Sequence, residues 1–402
     1  MTRRTALTLA APLLQAAANE TPAPDSAGGW RVKTPAAVGL DASRLEQAFR
    51  YAMQTSQNGG LLVSRRGTLV FEKYFGKGHR EAHPDMASIG KAYTSIGCGI
   101  LLAEKRAEIP DGLDQLVFNE KYLPEAVPLS DPAKAGIRLG HLLSMSSGLR
   151  EGNTGFVDGV LRTLDPQPAR KLDFAAQDRN AVNAPMWIAP GGGYSYASLS
   201  THAASMVLRR VAGMELQQYL EVKLARPMGW GEWGYALHRN GGTLPHTPGG
   251  GSIAVRATDA LRFAHLLLRQ GRWGQQQLVP ADYIALCARP SKYNPHAPFS
   301  LQFEVNEGGH VIGAPRDAWF KSGAGGSAIY MVPSLDLAIY KMAGSDAQFA
   351  PELTRLPVRY AIDRSREGWK PVAHSQFHDG PIGGDDGVRR LLEFVVAAVI
   401  SR

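Results

Sequence analysis

The sequence predicts an α+β protein in which one sheet is built from both ends of the chain. Two apolar, strand-like runs near the N-terminus flank an Arg-Arg-Gly turn, and this pattern predicts a hairpin. Two similar runs lie near the C-terminus, and the long stretch between the two pairs has the 3.6-residue periodicity of helices. We therefore expect a sheet domain that carries a helical insert.

The first predicted element is a helix over residues 41–55. Leu45 and Phe49 lie on its apolar stripe, and Ser43 and Glu46 have the spacing of a capping box. The later elements are predicted from the same kind of periodicity and from Gly and Pro residues that mark where helices and strands end. They are strands at 61–64, 68–74, 327–332 and 337–342, and helices beginning near Ser88 and at 139–144, 199–211, 216–224, 258–270, 280–287 and 388–400.

The basic residues predict a solvated surface rather than a nucleic-acid site. Lys and Arg number 44 against 36 Asp and Glu, which gives a formal net charge of +8. These charges are scattered, because the chain has pairs but no long basic run; the pairs include Arg65-Arg66, Arg209-Arg210 and Arg389-Arg390. A nucleic-acid-binding face concentrates its charge, so we expect no nucleic-acid partner.

The N-terminus has the pattern of an export signal. Thr2-Arg3-Arg4 is a short positive segment, residues 5–14 are mostly apolar, and Ala16-Ala17-Ala18 provides small residues for cleavage. The paired arginines favour a twin-arginine type of signal; an ordinary secretory signal or a frayed tail are the alternatives. We predict a signal peptide at 1–18, a linker at 19–34 and an exported protein, periplasmic or secreted. No later segment predicts a membrane span.

The chain has two cysteines, Cys98 and Cys287. An exported protein can oxidise such a pair, but nothing in the sequence places the two side by side. Cys98 falls on the helix predicted to begin near Ser88, which favours a buried free thiol.

Ser88-Ile89-Gly90-Lys91 is the candidate centre of the chemistry. On a helix, a serine and a lysine three residues apart stand on the same face, one turn apart. The amine then lies beside the hydroxyl, which is one way to make a weak alcohol nucleophilic. About one Ser-x-x-Lys is expected by chance in a chain of this composition, and the alternative is an N-cap serine with a surface lysine. The motif therefore needs partners.

Four further motifs follow it in order. They are His141-Leu142-Leu143-Ser144-Met145-Ser146-Ser147-Gly148-Leu149, Pro190-Gly191-Gly192-Gly193-Tyr194-Ser195-Tyr196-Ala197-Ser198, Gly249-Gly250-Gly251-Ser252 and Lys321-Ser322-Gly323-Ala324-Gly325-Gly326. Over about residues 35–345 the set resembles the serine β-lactamase and penicillin-binding-protein superfamily, in particular its class C β-lactamase, D-Ala-D-Ala carboxypeptidase and family VIII carboxylesterase branch. The resemblance implies an antiparallel sheet flanked by helices plus a helical subdomain.

For this chain the resemblance implies one catalytic domain at 35–402. Its sheet subdomain would comprise about 35–85 and 295–402, and its helical subdomain about 86–294. Within that domain Ser88 matches the acylated nucleophile, Lys91 its base partner, and Tyr196 the tyrosine of the family's Tyr-x-Asn motif.

The last motif matches the family's Lys-Thr/Ser-Gly, on the strand that lines the site. Lys321, Ser322 and Gly323 are therefore implied to bind substrate, together with Ala324. The implied oxyanion hole consists of the backbone N–H groups of Ser88 and Ala324. Two such donors in a dry site are worth several kcal/mol of barrier.

Two lysines near one tyrosine have an electrostatic rationale. Free lysine titrates near ~10.4 and free tyrosine near ~10, so neither is a base at neutral pH without a shift in pKa. A second ammonium about 4 Å away repels the first by about 4 kcal/mol at an effective dielectric constant near 20. This repulsion corresponds to a lowering of the lysine pKa by roughly three units. Lys91, Tyr196 and Lys321 would titrate as one coupled system, so the base can be either the Lys91 amine or the Tyr196 phenolate.

Two features of the motifs point to different substrates. Ser198 stands where the family usually has Asn, and in relatives that Asn contacts the substrate's acyl-side amide and the catalytic lysine. A serine hydroxyl is shorter and offers fewer hydrogen-bonding groups than an amide. This difference disfavours efficient β-lactamase activity and suits esterase-type relatives. Lys321, in contrast, suits a substrate carboxylate, as in peptides or β-lactams, whereas many esterase relatives have His or Trp there.

Other reaction classes lack their signatures. There is no Gly-x-Ser-x-Gly elbow and no phosphate-binding loop. His141 has no triad partners nearby, so we interpret it as structural. The pairs His79/His83 and His374/His378 have i,i+4 spacing but lie in loop-like stretches without a His-Glu-x-x-His order, so we predict no metal site.

We therefore predict a serine hydrolase that acts through a covalent acyl-enzyme on a small-molecule or peptide ester or amide, without a cofactor. The alternatives are a β-lactamase or D-Ala-D-Ala carboxypeptidase, and a non-turnover penicillin-binding sensor module that is acylated but not deacylated. The segment 366–387, rich in Gly, His and Asp, is interpreted as an exposed loop. Nothing in the sequence indicates an oligomeric state.

Overall fold

The structure is a computed structural model that describes residues 30–164, 176–235, 244–349 and 387–400. The predicted signal peptide, most of the predicted linker, the His374/His378 pair and nearly all of the segment 366–387 lie outside these residues. Within them, no helix is both long enough and apolar enough to cross a membrane.

Every helix and strand that the periodicity predicts is present, with bounds that differ by a few residues, and shorter elements that it does not predict lie between them. The helices are α1 (Ala42–Gln54), α2 (Gly90–Glu104), α3 (Leu139–Leu143), α4 (Gln177–Val182), α5 (Ser198–Ala212), α6 (Leu216–Leu220), α7 (Ala257–Leu268), α8 (Ala281–Cys287) and α9 (Arg389–Ala397). After α6 the chain continues through a π-helical turn, Glu221–Ala225, into a last helical turn, Arg226–Met228.

Within the described residues, the strands form one large sheet and three two-stranded ribbons. They are β1 (Asn58–Arg65), β2 (Thr68–Phe75), β3 (Thr154–Val157), β4 (Val160–Thr163), β5 (Trp233–Tyr235), β6 (Ile253–Val255), β7 (Arg272–Trp273), β8 (Gln276–Gln277), β9 (Glu304–Val305), β10 (Trp319–Gly323), β11 (Ser327–Val332) and β12 (Leu337–Gly344). In the part of the chain that the structure describes, the large sheet has six strands in the order β2-β1-β12-β11-β10-β9.

Every neighbouring pair in the large sheet is antiparallel. The first hairpin joins the last strand directly, because β1 pairs with β12 from Asn58–Gly344 to Arg65–Leu337. The prediction that both ends of the chain build one sheet is therefore confirmed.

Each face of the sheet is covered by helices. On one face α1 and α9 enclose a core that includes Phe49, Phe71 and Ile339. On the other face α7 packs against β11 and β12, and the core continues into the helical part through Ile96 and Leu261. Full burial of each such side chain contributes about 1.5–3 kcal/mol, which explains why the central strands are apolar on both faces.

The predicted capping box of α1 is wrong. The N-cap is Asp41, whose Oδ1 accepts from the backbone N–H groups of Ser43 and Arg44 at 2.7 and 3.2 Å. Ser43 Oγ donates to the same carboxylate, and Glu46 instead forms an ion pair with Lys73. A carboxylate is favoured over a hydroxyl here because it also faces the positive end of the helix dipole.

One arginine of each basic pair nevertheless faces inward. Arg65 is 1% exposed and donates to three backbone carbonyls. Arg209 pairs with Asp178 and Arg389 with Glu304, both over short distances in partly buried positions. These arginines therefore anchor loops and helices rather than cover the surface.

Both thiols are buried and unpaired, as the position of Cys98 predicts. Burial raises the pKa of the Cys98 thiol to about 12, so the thiol stays protonated and unreactive at neutral pH.

Candidate active site

Ser88 lies on a one-turn 3₁₀ helix, Ala87–Ile89, that leads directly into α2. Lys91 is the second residue of α2, and its Nζ donates a hydrogen bond to Ser88 Oγ over 2.7 Å. Ser88 is 7% exposed and Lys91 1%. The structure thus brings the predicted amine and hydroxyl together in a nearly dry setting, where electrostatic interactions are stronger than in water.

The residue before Ser88 has a strained backbone. Ala87 has φ 47°, a left-handed conformation that costs a non-glycine residue about 1–2 kcal/mol. Two hydrogen bonds hold it there: its N–H donates to Asp85 Oδ1 over 2.8 Å, and its carbonyl accepts from Ser252 N over 2.9 Å. This turn sets the direction in which the chain passes Ser88 and enters α2.

The glycine motif Gly249–Gly251 lies directly on the Ser88 turn. A Cβ on Gly90 would come within 2.9 Å of Gly251 Cα, so the two backbones touch with no room for a side chain between them. Thr94, one turn further along α2, donates its hydroxyl to Gly249 O over 2.7 Å. The need for this close approach explains why the motif consists of glycines.

A buried histidine holds the other side of the same loop. His202 Nδ1 accepts from Gly249 N–H over 3.2 Å, and His202 Nε2 lies 2.8 Å from Asp178 Oδ1. These neighbours fix the tautomer in which Nε2 carries the proton and donates to Asp178. Burial alone raises the pKa of Asp178, but its hydrogen bonds from His202 and Arg209 prevail and hold that pKa well below its usual value.

Tyr196 lies against both lysines of the predicted set. Lys321 Nζ donates to Tyr196 OH over 3.2 Å. Lys91 Nζ and Lys321 Nζ lie 4.9 and 5.0 Å from the centroid of the Tyr196 ring, within the range of cation–π attraction. The structure therefore joins Ser88, Lys91, Tyr196 and Lys321, which come from three distant stretches of the chain, into one continuous polar set.

The strand that carries Lys321 also contacts the Ser88 turn. Gly323, the last residue of β10, lies so close that a Cβ would come 2.1 Å from Met86 O and 3.1 Å from Ser88 N. Only glycine fits this position. The predicted Lys-Ser-Gly motif thus lies on a strand whose end is pressed against the backbone around Ser88.

The remaining predicted substrate-binding residues are partly exposed. Ser322 and Ala324 flank Gly323, and Ser198 is the first residue of α5, packed against the glycine motif at Gly250. One neighbour of Ser198 has no sequence signal: Glu151 Oε2 accepts from Leu199 N–H over 3.1 Å. Glu151 places a carboxylate at the N-terminus of α5, across 48 residues of sequence.

Aromatic side chains form one side of the site. The ring centroid of Phe299 lies 5.9 Å from Lys321 Nζ and 5.5 Å from the ring of Tyr194. Tyr194 in turn contacts Phe156 on β3, and Tyr196 packs against the same cluster. This buried cluster packs against the polar set at Tyr196 and Lys321.

His141 has a structural position. Its Nδ1 accepts from the backbone N–H of Arg138 at the start of α3. Burial, with the nearby Arg138 guanidinium, lowers the pKa of His141 to about 4, so the ring is neutral at pH 7. Among the residues that the structure describes, no three His, Cys, Asp or Glu side chains are grouped as metal ligands.

Comparison with known proteins identifies the family. A family model described as Beta-lactamase matches residues 45–359, a span that contains Ser88, Tyr196 and Lys321. The chain belongs to the Beta-lactamase family. None of the curated proteins compared with it matches significantly.

Solved structures agree with this membership at the level of the fold. A candidate beta-lactamase from Bacteroides dorei DSM 17855 is 18% identical with a TM-score of 0.60, covering 77% of this chain and 94% of that one. EstCE1, a hydrolase with promiscuous acyltransferase activity, is 18% identical with a TM-score of 0.59, covering 77% and 96%. The octameric penicillin-binding protein homologue from Pyrococcus abyssi is 14% identical with a TM-score of 0.56, covering 77% and 73%. The predicted β-lactamase/transpeptidase-like fold is thereby confirmed.

Proposed function

We propose that this Beta-lactamase-family protein is a serine hydrolase that cleaves an ester or amide through a covalent acyl-enzyme on Ser88. The observation that carries the proposal is the 2.7 Å hydrogen bond from Lys91 Nζ to Ser88 Oγ. Family membership supports hydrolase chemistry, and the contacts of Tyr196 with both lysines supply the means to handle the proton.

In acylation, Ser88 Oγ attacks the substrate carbonyl carbon and its proton passes to the Lys91–Tyr196 pair. The C–O bond to Ser88 forms, and the carbonyl oxygen becomes an oxyanion. The pair then returns the proton to the leaving oxygen or nitrogen as its bond to carbon breaks. Deacylation repeats the sequence with water as the nucleophile, which releases the acid and restores Ser88.

Lys321 supports this proton transfer electrostatically. Its ammonium donates to the Tyr196 hydroxyl and so favours the phenolate over the neutral phenol. Lys91 lies on the same ring, so the three groups titrate together, and we assign the base to the coupled set rather than to one residue.

The oxyanion is proposed to bind the backbone N–H groups of Ser88 and Ala324. The contact of Gly323 with Met86 O and Ser88 N supports this assignment, because it brings the end of β10 against the Ser88 turn. Removal of one such donor in serine hydrolases costs about 10²–10³ in kcat.

An ester is the proposed substrate class, because Ser198 lacks the amide that relatives use to hold the acyl-side amide of their substrates. A second candidate substrate is a β-lactam or a D-Ala-D-Ala peptide, and it is favoured by Lys321, whose ammonium suits a carboxylate.

A panel of three reagents tests these functions on wild type and Ser88→Ala. Turnover of p-nitrophenyl esters by wild type alone supports the esterase, and nitrocefin turnover supports the β-lactamase. Stable labelling by a fluorescent penicillin without turnover supports a penicillin-binding sensor. Equal ester hydrolysis by wild type and Ser88→Ala would overturn the acyl-enzyme mechanism.

A further inference from the structure

Gln348 bridges the two backbone segments that carry the proposed oxyanion donors. Its Nε2 donates to Asp85 O over 3.1 Å and to Ala324 O over 2.8 Å. The side chain is 6% exposed and lies in the turn after β12. Asp85 precedes the Ser88 turn and Ala324 follows β10, so one amide group links the segments on which Ser88 N and Ala324 N are found.

The orientation of the Gln348 amide is fixed by its neighbours. Its Oε1 accepts from Ser345 N–H over 3.0 Å, whereas Nε2 faces two carbonyl oxygens. If the amide oxygen and nitrogen were exchanged, the oxygen would face the two carbonyl oxygens and the NH₂ group would face the N–H of Ser345. Only the observed orientation therefore satisfies the hydrogen bonds of the site. The backbone adds a further link, because Asp85 N donates to Gln348 O over 2.9 Å.

The motif after β10 is shaped around the same side chain. Gly325 has φ 94°, and a Cβ at that position would lie 2.4 Å from Gln348 Oε1. The turn that follows Ala324 therefore depends on glycine both for its backbone conformation and for space beside Gln348.

On the basis of the proposed acyl-enzyme function, we propose that Gln348 is a positioning residue that sets the geometry of the oxyanion hole. Two donors stabilise an oxyanion only if both lie about 2.7–3.1 Å from the place where the charge develops. Gln348 holds the carbonyl of Ala324 on one side. On the other it holds Asp85, whose side chain in turn accepts from Ala87 N next to Ser88. Loss of the amide leaves both carbonyls without this donor and lets the two segments move apart.

Two variants test the proposal: Gln348→Met, which keeps the length but removes both donors, and Gln348→Glu, which sets a carboxylate against two carbonyls. Gln277, on the exposed strand β8, is a control because its Nε2 also donates to two backbone carbonyls, Gln270 O at 2.7 Å and Val279 O at 2.6 Å. That bridge lies beyond the C-terminal end of α7, whereas the glycine motif lies before its N-terminal end. The equivalent pair is Gln277→Met and Gln277→Glu.

The readouts are kcat and KM for the best p-nitrophenyl ester, the affinity for a boronic acid that forms a tetrahedral adduct on Ser88, and the midpoint of thermal unfolding. We expect kcat to fall about 10- to 100-fold in Gln348→Met and further in Gln348→Glu. KM should change by less than about threefold, and boronate affinity should fall in parallel with kcat/KM. The Gln277 variants should lower the unfolding midpoint less, because Gln277 is exposed, and should retain wild-type kcat and boronate affinity.

Wild-type kcat and boronate affinity in folded Gln348→Met would overturn the inference while the proposed function stands. If Gln348→Glu does not fold, Gln348→Met alone decides. Wild-type protein whose ester hydrolysis does not depend on Ser88 contradicts the proposed function, and the inference falls with it.

Discussion

Lys321 Nζ lies 3.2 Å from the hydroxyl of Tyr196, although 125 positions separate the two residues in the sequence. The bond joins strand β10 of the sheet to the segment before helix α5. The ring of the same tyrosine contacts Lys91 Nζ, the donor to Ser88. A change to any one of these side chains alters the electrostatic surroundings of the others, so their effects should be strongly non-additive.

Ser88→Ala should abolish ester hydrolysis, and Lys91→Ala should lower kcat by about 10²–10⁴, the usual contribution of general base catalysis. The matched control is Ser95→Ala, two turns along α2, where a buried hydroxyl donates to Leu301 O over 2.8 Å. Loss of that bond should cost stability but not activity. Steady-state kinetics with circular dichroism of each variant check the prediction, and an active Ser88→Ala protein would contradict it.

Tyr196→Phe should lower kcat by about 10²–10⁴, because it removes the hydroxyl that takes part in proton transfer. Lys321→Met should also lower it. The double variant should be only slightly worse than Tyr196→Phe, since the lysine acts through that hydroxyl. Tyr194→Phe, two residues away in the apolar cluster, is the control and should keep activity within about threefold. Fully additive losses in the double-mutant cycle would show that the two residues act independently.

Ser198→Asn should shift the substrate preference toward amides. The asparagine restores the donor and acceptor that relatives use at this position. We expect the ratio of nitrocefin to p-nitrophenyl ester turnover to rise about tenfold or more. Ester turnover in the same variant is the internal control. An unchanged ratio with intact ester activity would show that Ser198 does not determine the substrate class.

His265 should make the protein less stable in mild acid. Its side chain is fully buried between the rings of Trp30 and Trp273. Burial, with a smaller effect of Arg269, lowers the pKa of His265 to about 3. The unfolded chain takes up a proton below about pH 6.5 and the folded protein does not, so stability falls as pH drops from about 6.5 toward 3.

The slope attributable to His265 is about 1.4 kcal/mol per pH unit. Urea unfolding at about pH 7.5 and about pH 5 should show a smaller loss of unfolding free energy in His265→Phe than in wild type. The exposed His79, changed to Phe, is the control and should keep the wild-type loss. Equal losses in all three proteins would exclude His265 as the source.

Local signals in the sequence predict much of the fold and the centre of the site. The Ser88–Lys91 contact is predictable because it depends on three-residue spacing at a helix start, and β11 is predicted over the residues that form it. Strand β10 gives a weaker signal, since Trp319–Gly323 is short and includes a lysine and a glycine. Only the resemblance to a known family places it as a strand.

Glu151 and Gln348 have no local signal at all. Gln348 contacts Asp85 across 263 residues, and a glutamine in a turn after a strand is ordinary in composition. The inward positions of Arg65, Arg209 and Arg389 have no local signal for the same reason. Arg65 looks like a solvated turn residue until the backbone carbonyls of Val38 and Leu335 are brought to it by the folded chain.

The pairing of β1 with β12 has a consequence for synthesis of the chain. About 280 residues separate Arg65 from Gly344, and a ribosome that adds about 5–20 residues per second needs roughly 14–56 s to make them. Throughout that interval the hairpin β1–β2 has an open edge of eight residues, a template for pairing with other chains. A nascent chain therefore exposes this edge until β12, the strand that pairs with β1, leaves the ribosome.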